Sequence, residues 1–385
     1  MITREQYELL CSESLRRAVD ANIGRDPLAI ALDKHLPHAA AVASQVKYLL
    51  RARRKLPSWF DARCIIPSLA FEQSSSEVCA AHKPLEGDTV LDLTCGLGVD
   101  SAALARRFRH VTAIERSDVL ADIARENFRR LGIGNIEVVC DTAEHYIATC
   151  GRRFDWCYAD PDRRGAHGEK LVRLEDCSPD IAALLPRLRE IAAAVCIKAS
   201  PMFDIDEAFR IFGHCRVEAV SLADECKEVL ITVGDTEPAV TATALGIGSL
   251  SVSASELAAF VPAVPPAFRA DEYRWLVQPD VALQKSRTVR YHLAGKADVW
   301  SENGYGFAVE RPDGILGRVF EIERIERFDP KRLRRELKGI GIEIMRRDFP
   351  HSTQRLKELT GIREGGSQRM AFTSAAGEVL TIRLK

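Results

Sequence analysis

The sequence of 385 residues contains no apolar run near the ~20 residues that a membrane-spanning helix needs; its longest, Ile181 to Leu185 and Ile191 to Ile197, stop far short. That excludes a helical membrane anchor and gives no membrane partner. No signal peptide is evident either. Met1-Ile2-Thr3-Arg4-Glu5-Gln6 mixes both signs of charge where a secretory leader has an apolar centre, so the expected address is the cytoplasm. Eleven cysteines, an odd number spread from Cys11 to Cys226, include no Cys-x-x-Cys pair and no adjacent histidine array. Neither a disulfide framework nor a metal site is expected, and the thiols read as small buried residues. Internal repeats and low-complexity tracts are missing, and with 46% hydrophobic and 28% charged residues the composition is that of a folded, multidomain chain.

Net charge is also nearly absent, at −1, but its distribution is uneven. Residues 1–75 carry 11 Lys/Arg against 8 Asp/Glu, residues 76–264 carry 20 against 30, and residues 265–385 carry 23 against 17. Basic ends around an acidic middle suit a catalytic unit flanked by parts that touch a polyanion, although solvated surface charge gives the same count.

Four pieces follow along the chain. Residues 1–75 read as helical, with Cys11, Leu15, Ala18 and Val19 sharing one face of a helix over 6–21, and Val42, Val46, Leu49 and Leu50 one side of a helix over 39–54. The second ends in Arg51, Arg53, Arg54 and Lys55, either a solvated helix end or a phosphate contact. Residues 76–240 alternate strand-like runs (89–93, 111–114, 136–139, 156–159, 194–198) with stretches able to hold crossover helices. That is the pattern of a parallel α/β sheet, completed by an antiparallel pair at 217–222 and 228–233. Pro262, Pro265 and Pro266 mark a linker; 265–309 reads as a small α+β unit with a helix over 281–293, and 310–385 runs strand, helix, strand, helix, hairpin. In the last strand Leu380, Ile382 and Leu384 alternate with Thr381, Arg383 and Lys385.

The segment most informative about function is Asp92-Leu93-Thr94-Cys95-Gly96-Leu97-Gly98-Val99-Asp100, which joins a strand to a helix. Gly96 and Gly98 allow close backbone approach to a ligand, and amides at the helix start attract an anionic group. Glu115 follows Asp92 by 23 residues at the end of the next strand, where a carboxylate accepts both hydroxyls of a ribose. Asp141 and Asp160 end the following two strands. Any one aspartate is commonly a cap or turn former, but four strand-end carboxyl groups in register line one crevice at the carboxyl edge of the sheet.

Only two glycines of the three in a dinucleotide fingerprint are present. The segment resembles the class I S-adenosylmethionine-dependent methyltransferases over residues 70 to 235. Lys55-Leu56-Pro57-Ser58-Trp59, Glu72-Gln73-Ser74-Ser75-Ser76-Glu77, Asp160-Pro161-Asp162-Arg163-Arg164, Lys198-Ala199-Ser200-Pro201 and Arg346-Arg347-Asp348-Phe349-Pro350 extend the likeness to a bacterial methyltransferase family with a ferredoxin-like linker and a THUMP-like C-terminal domain. The resemblance implies a seven-stranded Rossmann-like sheet at 76–240, a helical region at 1–75, a ferredoxin-like unit at 265–309 and a THUMP-like domain at 310–385. It implies S-adenosylmethionine approached by Gln73, Ser74 and Ser75 at its carboxylate, with Asp92, Thr94, Gly96, Gly98 and Asp100 around its methionine part, Glu115 on its ribose, and Asp141, Thr142 and Ala143 at its adenine. Asp160 and Pro161 face the reacting methyl, and RNA is the implied partner.

Methyl transfer from a sulfonium asks the enzyme for orientation and, where the acceptor carries a proton, a base or hydrogen-bond acceptor, for which Asp160 is the candidate. Amine-directed relatives carry Asn/Asp-Pro-Pro followed by an aromatic residue, whereas Asp162-Arg163-Arg164 follows here. Arg163 and Arg164 either clamp a phosphate or stack on a base, or form a salt-bridged loop. Lys198 either neutralises an anionic substrate group or pairs with one of the carboxylates. Gln73 to Ser75 are equally readable as a polar loop, and Glu225-Cys226-Lys227-Glu228 as a solvated turn. In the tail, Lys331, Arg334, Arg335 and Lys338 form one stripe of a helix capped by Asp329-Pro330, opposite Leu333 and Leu337, as a phosphate-contacting face would. The expected activity is methylation of structured RNA; a protein or metabolite substrate, or RNA binding without catalysis, are the alternatives.

Overall fold

The computed structural model describes residues 2–162, 176–263 and 267–385. Arg163 and Arg164, and Pro265 and Pro266 of the expected linker, lie outside them. Two compact units are found, Met1–Cys215 with Leu230–Thr236, and Arg216–Val229 with Glu237–Lys385.

The first unit opens with helices. The one expected over 6–21 is two, Arg4–Cys11 and Glu13–Asn22, because Ser12 is extended (ψ 142°) and its hydroxyl accepts the Leu15 amide as an N-cap. The long helix Ala39–Lys55 buries Val42, Val46 and Leu49. Its terminal cations are not simply solvated: Arg51 pairs with Glu72, and Lys55 donates to the Phe71 carbonyl at 2.6 Å. Burial lowers the Lys55 ammonium to about 8. Two buried amides fasten the chain leaving this region. Asn127 exchanges both hydrogen bonds with the Ile65 backbone (2.8 and 2.9 Å), and Gln45 donates to the Cys64 carbonyl. The helical region thereby shares one apolar core with Val119, Ile123 and Phe128 of helix Asp118–Arg130.

Strands β1 (Gly87–Asp92), β2 (Phe108–Glu115), β3 (Ile136–Cys140), β4 (Phe154–Ala159) and β5 (Ala192–Ala199) form the parallel part of the sheet, β1 lying between β2 and β4. Because β1 and β4 are the inner strands, Val90, Leu91, Cys157, Tyr158 and Ala159 are fully buried, as expected of strands covered on both faces. Strands β6 (Arg216–Leu222) and β7 (Glu225–Val233) meet at Ala223 and Asp224, whose φ values of 54° and 60° suit a two-residue hairpin turn.

Beyond β7, β8 (Ala239–Ala244) runs parallel to β6 and β9 (Gly248–Ser253) antiparallel to β8, so among the described residues the sheet has nine strands in the order β3-β2-β1-β4-β5-β7-β6-β8-β9, which does not confirm the seven-stranded expectation. Thr241-Ala242-Thr243-Ala244 is too small and polar to read as a strand by its apolar content, yet Ala242 and Ala244 are buried.

The second unit also carries an eight-stranded sheet made of β10 (Trp275–Pro279), β11 (Asp298–Val299), β12 (Gly306–Ala308), β13 (Gly317–Arg327), β14 (Gly341–Arg346), β15 (Arg363–Glu364), β16 (Gln368–Ala375) and β17 (Glu378–Leu384). The helix expected over 281–293 is broken into Val281–Lys285 and Val289–Leu293 at Arg287, which takes a left-handed φ of 57°. Helix Pro330–Leu337 buries Leu333 and Leu337 with Phe372 and Met370. Leu380, Ile382 and Leu384 are buried; on the other face Thr381 is buried too, while Arg383 is half-buried and Lys385 exposed. Arg347, from the Arg346–Pro350 motif, is an internal clasp: it pairs with Asp224 at 3.4 Å and donates to the Pro279 carbonyl.

Candidate active site

Asp92, Glu115, Asp141 and Asp160 all belong to the first unit. β1 ends in Asp92, whose side chain is inaccessible; one oxygen accepts the Thr94 amide (2.9 Å) and the other the Ser101 hydroxyl. Burial pushes its carboxyl up to about 7 against those two hydrogen bonds. A carboxyl so placed fixes the backbone of the turn through Thr94 and Ser101. Thr94 then ties two strand ends together, its hydroxyl accepting the Asp160 amide at 2.7 Å.

The two glycines have different reasons. Gly96 has φ 55°, and a Cβ there would find nothing closer than 3.9 Å, so its Cα side is open. At Gly98 (φ 91°) a Cβ would stand 2.5 Å from the Phe128 ring, so this residue is small to let helix Asp118–Arg130 pack. Glu115 reaches the turn: its carboxylate accepts the Gly96 amide (2.9 Å) and the Ser117 amide (2.8 Å). Burial raises its pKa in spite of both bonds. Each oxygen retains a lone pair for a further donor, as two vicinal hydroxyls require. Asp141, one residue beyond β3, accepts the Thr142 amide and meets His145 Nδ1 at 2.7 Å, which lowers its pKa. Thr142 caps helix Ala143–Thr149.

Of the loop expected at the cofactor's carboxylate, Gln73 is exposed and donates to Asp162 at 3.4 Å, and Ser74 turns back to the Phe71 carbonyl. It is Ser75 that enters the site, donating to Asp100 at 2.8 Å and accepting from Lys198 at 2.9 Å. Lys198 also donates to Asp160 and lies 3.8 Å from Asp100. Of the two readings of this lysine, the ion pair is present. Behind it Lys83, which belongs to no motif and gives no signal in the sequence, stands 3.6 Å from the other Asp100 oxygen. Burial acts to raise the pKa of Asp100, but Lys83, Lys198 and Ser75 outweigh it and the net shift is downward. Pro161 is buried, and Asp162 pairs through its backbone with Ser178.

In the second unit Lys331, Arg334, Arg335 and Lys338 are all exposed, with Asp329 capping the helix through the amides of Lys331 and Arg332. Arg334 also donates to the Glu358 carbonyl at 3.0 Å.

The sequence profile described as a methyltransferase domain matches residues 90–162, and that described as THUMP domain-like matches residues 317–383. An uncharacterized S-adenosylmethionine-dependent methyltransferase of Mycobacterium tuberculosis is 26% identical over 280 residues, covering 70% of this chain and 73% of that protein. The 23S rRNA (uracil(1939)-C(5))-methyltransferase RlmD of Stenotrophomonas maltophilia is 40% identical over 87 residues, 22% of this chain and 20% of that protein. A solved structure from Porphyromonas gingivalis W83, provisionally described as a methyltransferase, superposes with a TM-score of 0.82 at 24% identity, covering 100% of this chain and 99% of that one. That last likeness shows a shared fold.

Proposed function

Since the chain is a class I S-adenosylmethionine-dependent methyltransferase with a THUMP-like domain, we propose that it methylates structured RNA. The observation that carries the site is the row Asp141, Glu115, Asp92, Asp160 at successive ends of β3, β2, β1 and β4, with an open glycine turn between them. These residues fit the cofactor. Glu115 accepts the ribose hydroxyls, Asp141 with Thr142 and Ala143 borders the adenine, and Gly96 gives the chain room to pass close by. Asp92, Thr94 and Gly98 hold that turn, while Asp100 and Ser75 stand at the methionine end. The cofactor supplies a methyl group on a sulfonium for in-line displacement. Asp160, braced by Lys198 and by the hydrogen bond its backbone amide donates to the Thr94 hydroxyl, orients the acceptor and receives its hydrogen bond.

Three observations support RNA as the acceptor: the THUMP-like match, the partial likeness to an rRNA-modifying enzyme, and the exposed cationic stripe of helix Pro330–Leu337. The proposal includes the division into a helical region at 1–75, the methyltransferase domain at 76–240, a ferredoxin-like unit at 265–309 and the THUMP-like domain at 310–385. Mass spectrometry of nucleosides from the RNA of cells with and without the gene tests it. One methylated nucleoside should vanish with the gene, and identical nucleoside profiles would refute RNA as the substrate.

A further inference from the structure

The first unit places two lysines and two carboxylates in one graded cluster. Lys83 is 1% exposed, Lys198 10%, Asp100 11% and Asp160 24%, so the contact series Lys83, Asp100, Lys198, Asp160 begins at a buried lysine and ends at its most exposed member. Ser75 links Asp100 to Lys198. The outermost group is therefore a carboxylate already engaged by an ammonium on one oxygen, Oδ2.

The acceptor's chemistry decides whether such a group helps. A nitrogen acceptor becomes cationic as its bond to the methyl carbon forms, and it needs a carboxylate or carbonyl free to share that charge. Here the Lys198 ammonium on Asp160 Oδ2 places a fixed positive charge beside the acceptor, which opposes a cation developing there. A ring carbon such as that of uracil must first be activated by a thiolate adding to the ring. Burial raises the thiols of Cys95, three residues after Asp92, and of Cys157, which pairs with Leu91 in the neighbouring strand, well above their usual range. A hydroxyl oxygen instead gains negative character as its proton leaves, and a fixed ammonium beside the proton-accepting carboxylate stabilises that charge without reorganising.

Resting on the reading above that RNA is the substrate, we infer that the acceptor atom is a hydroxyl oxygen, in RNA the ribose 2′-hydroxyl. The oxygen forms a bond to the methyl carbon while the carbon–sulfur bond breaks and its electron pair stays on sulfur. The hydroxyl proton passes to Asp160 Oδ1, and Lys198 on Oδ2 remains an ammonium throughout. Lys83 and Asp100 keep Lys198 in place from behind. The 2′-hydroxyl is also the group that distinguishes RNA from DNA, so the same interaction selects the polymer.

The test incubates the full-length protein with methyl-labelled cofactor and total RNA from cells lacking the gene, followed by alkaline hydrolysis. A methylated 2′-oxygen cannot attack the neighbouring phosphodiester, so the label should appear in alkali-resistant dinucleotides and, after enzymatic digestion, in ribose-methylated nucleosides. Label in base-methylated nucleosides overturns the hydroxyl inference and leaves RNA methylation standing. Label that enters protein or small molecules of a crude extract, and no RNA, overturns both. A second readout does not depend on turnover: calorimetric titration of the Lys198→Met variant with the demethylated cofactor. Affinity within about threefold of wild type is expected of a lysine serving the acceptor. A loss of tenfold or more assigns Lys198 to cofactor binding and overturns its role beside the acceptor hydroxyl.

Discussion

A Cβ on Gly98 would meet the Phe128 ring at 2.5 Å, and the residue's φ is 91°. The second glycine of the turn is thus required by packing against the neighbouring helix, whereas the first, Gly96, faces open space. Gly98→Ala should destabilise the protein by about 1–3 kcal/mol, the range for overpacking a filled core. At Gly96 only the left-handed backbone opposes alanine, at about 1–2 kcal/mol. Thermal melting with and without S-adenosylmethionine separates the two: Gly96→Ala should stay folded and lose most of its cofactor-induced shift. A Gly98→Ala variant as stable as wild type would show that Phe128 yields.

Glu115 is mostly buried and accepts two amides of the turn it serves. Glu115→Ala should weaken S-adenosylmethionine and its demethylated product equally, by about 1.5–3 kcal/mol, as loss of a charged hydrogen-bond acceptor does. Equal weakening is the signature, because the ribose is common to both. Calorimetric titration measures it, and unchanged affinity for either would move the ribose away from β2.

The crevice was legible because its strands are. Inner parallel strands, buried on both faces, read as short continuous apolar runs, and the acids that end them stand out by contrast. Asp92 and Glu115 could be paired from their separation alone. What the sequence could not show depends on neighbours that only folding brings together. Lys83 is one lysine in the connection before β1 until Asp100 is brought beside it. Ser74 and Ser75 are adjacent and chemically identical, and only the backbone direction after helix Ser68–Gln73 decides which of them enters the site. β8 has one valine, Val240, among threonine and alanine, too little apolar bulk to register as a strand. The helix over 281–293 breaks at an arginine in a left-handed conformation, a position where glycine or asparagine would have signalled the break.

Asp160 follows β4 with its amide held by Thr94 and its carboxylate by Lys198. Asp160→Ala should keep cofactor affinity within a few fold and lower turnover by about 10²–10⁴, the usual contribution of a positioned acid–base group. Titration and single-turnover assays on the same preparation check this. A parallel loss of binding and turnover would make Asp160 a cofactor ligand.

In the second unit, His292 Nε2 accepts the Leu316 amide at 2.9 Å, so the imidazole is folded in as the neutral acceptor. Burial lowers it to about 4, helped by the charge of Lys296. The folded value lies below the unfolded one, so its contribution to stability is complete above about pH 6.5 and is lost as pH falls through 4. The melting temperature should therefore decline across that window, and His292→Asn, whose acceptor does not titrate, should show a shallower decline. Identical pH profiles for the two proteins would place the acid sensitivity elsewhere.

The stripe of Lys331, Arg334, Arg335 and Lys338 tests the tail separately from the crevice. Leu333 and Leu337 supply the buried face of this helix and Asp329 its cap, so the four cations do not carry its packing. Reversing Lys331 and Arg335 to glutamate should change stability by no more than about 0.5 kcal/mol, since both are exposed. Cofactor affinity should not change. If the stripe grips phosphates, the double variant should bind structured RNA more weakly in every sequence context. The slope of log affinity against log salt should become shallower by roughly 0.7–0.9 for each phosphate that the variant no longer neutralises. Arg334 already gives one hydrogen bond to the Glu358 carbonyl, so Arg334→Glu removes a cation and a structural bond together and is the less clean probe. Filter binding or fluorescence anisotropy over a salt series measures the slope, and an unaltered slope in the double variant would remove this helix from the RNA-binding surface.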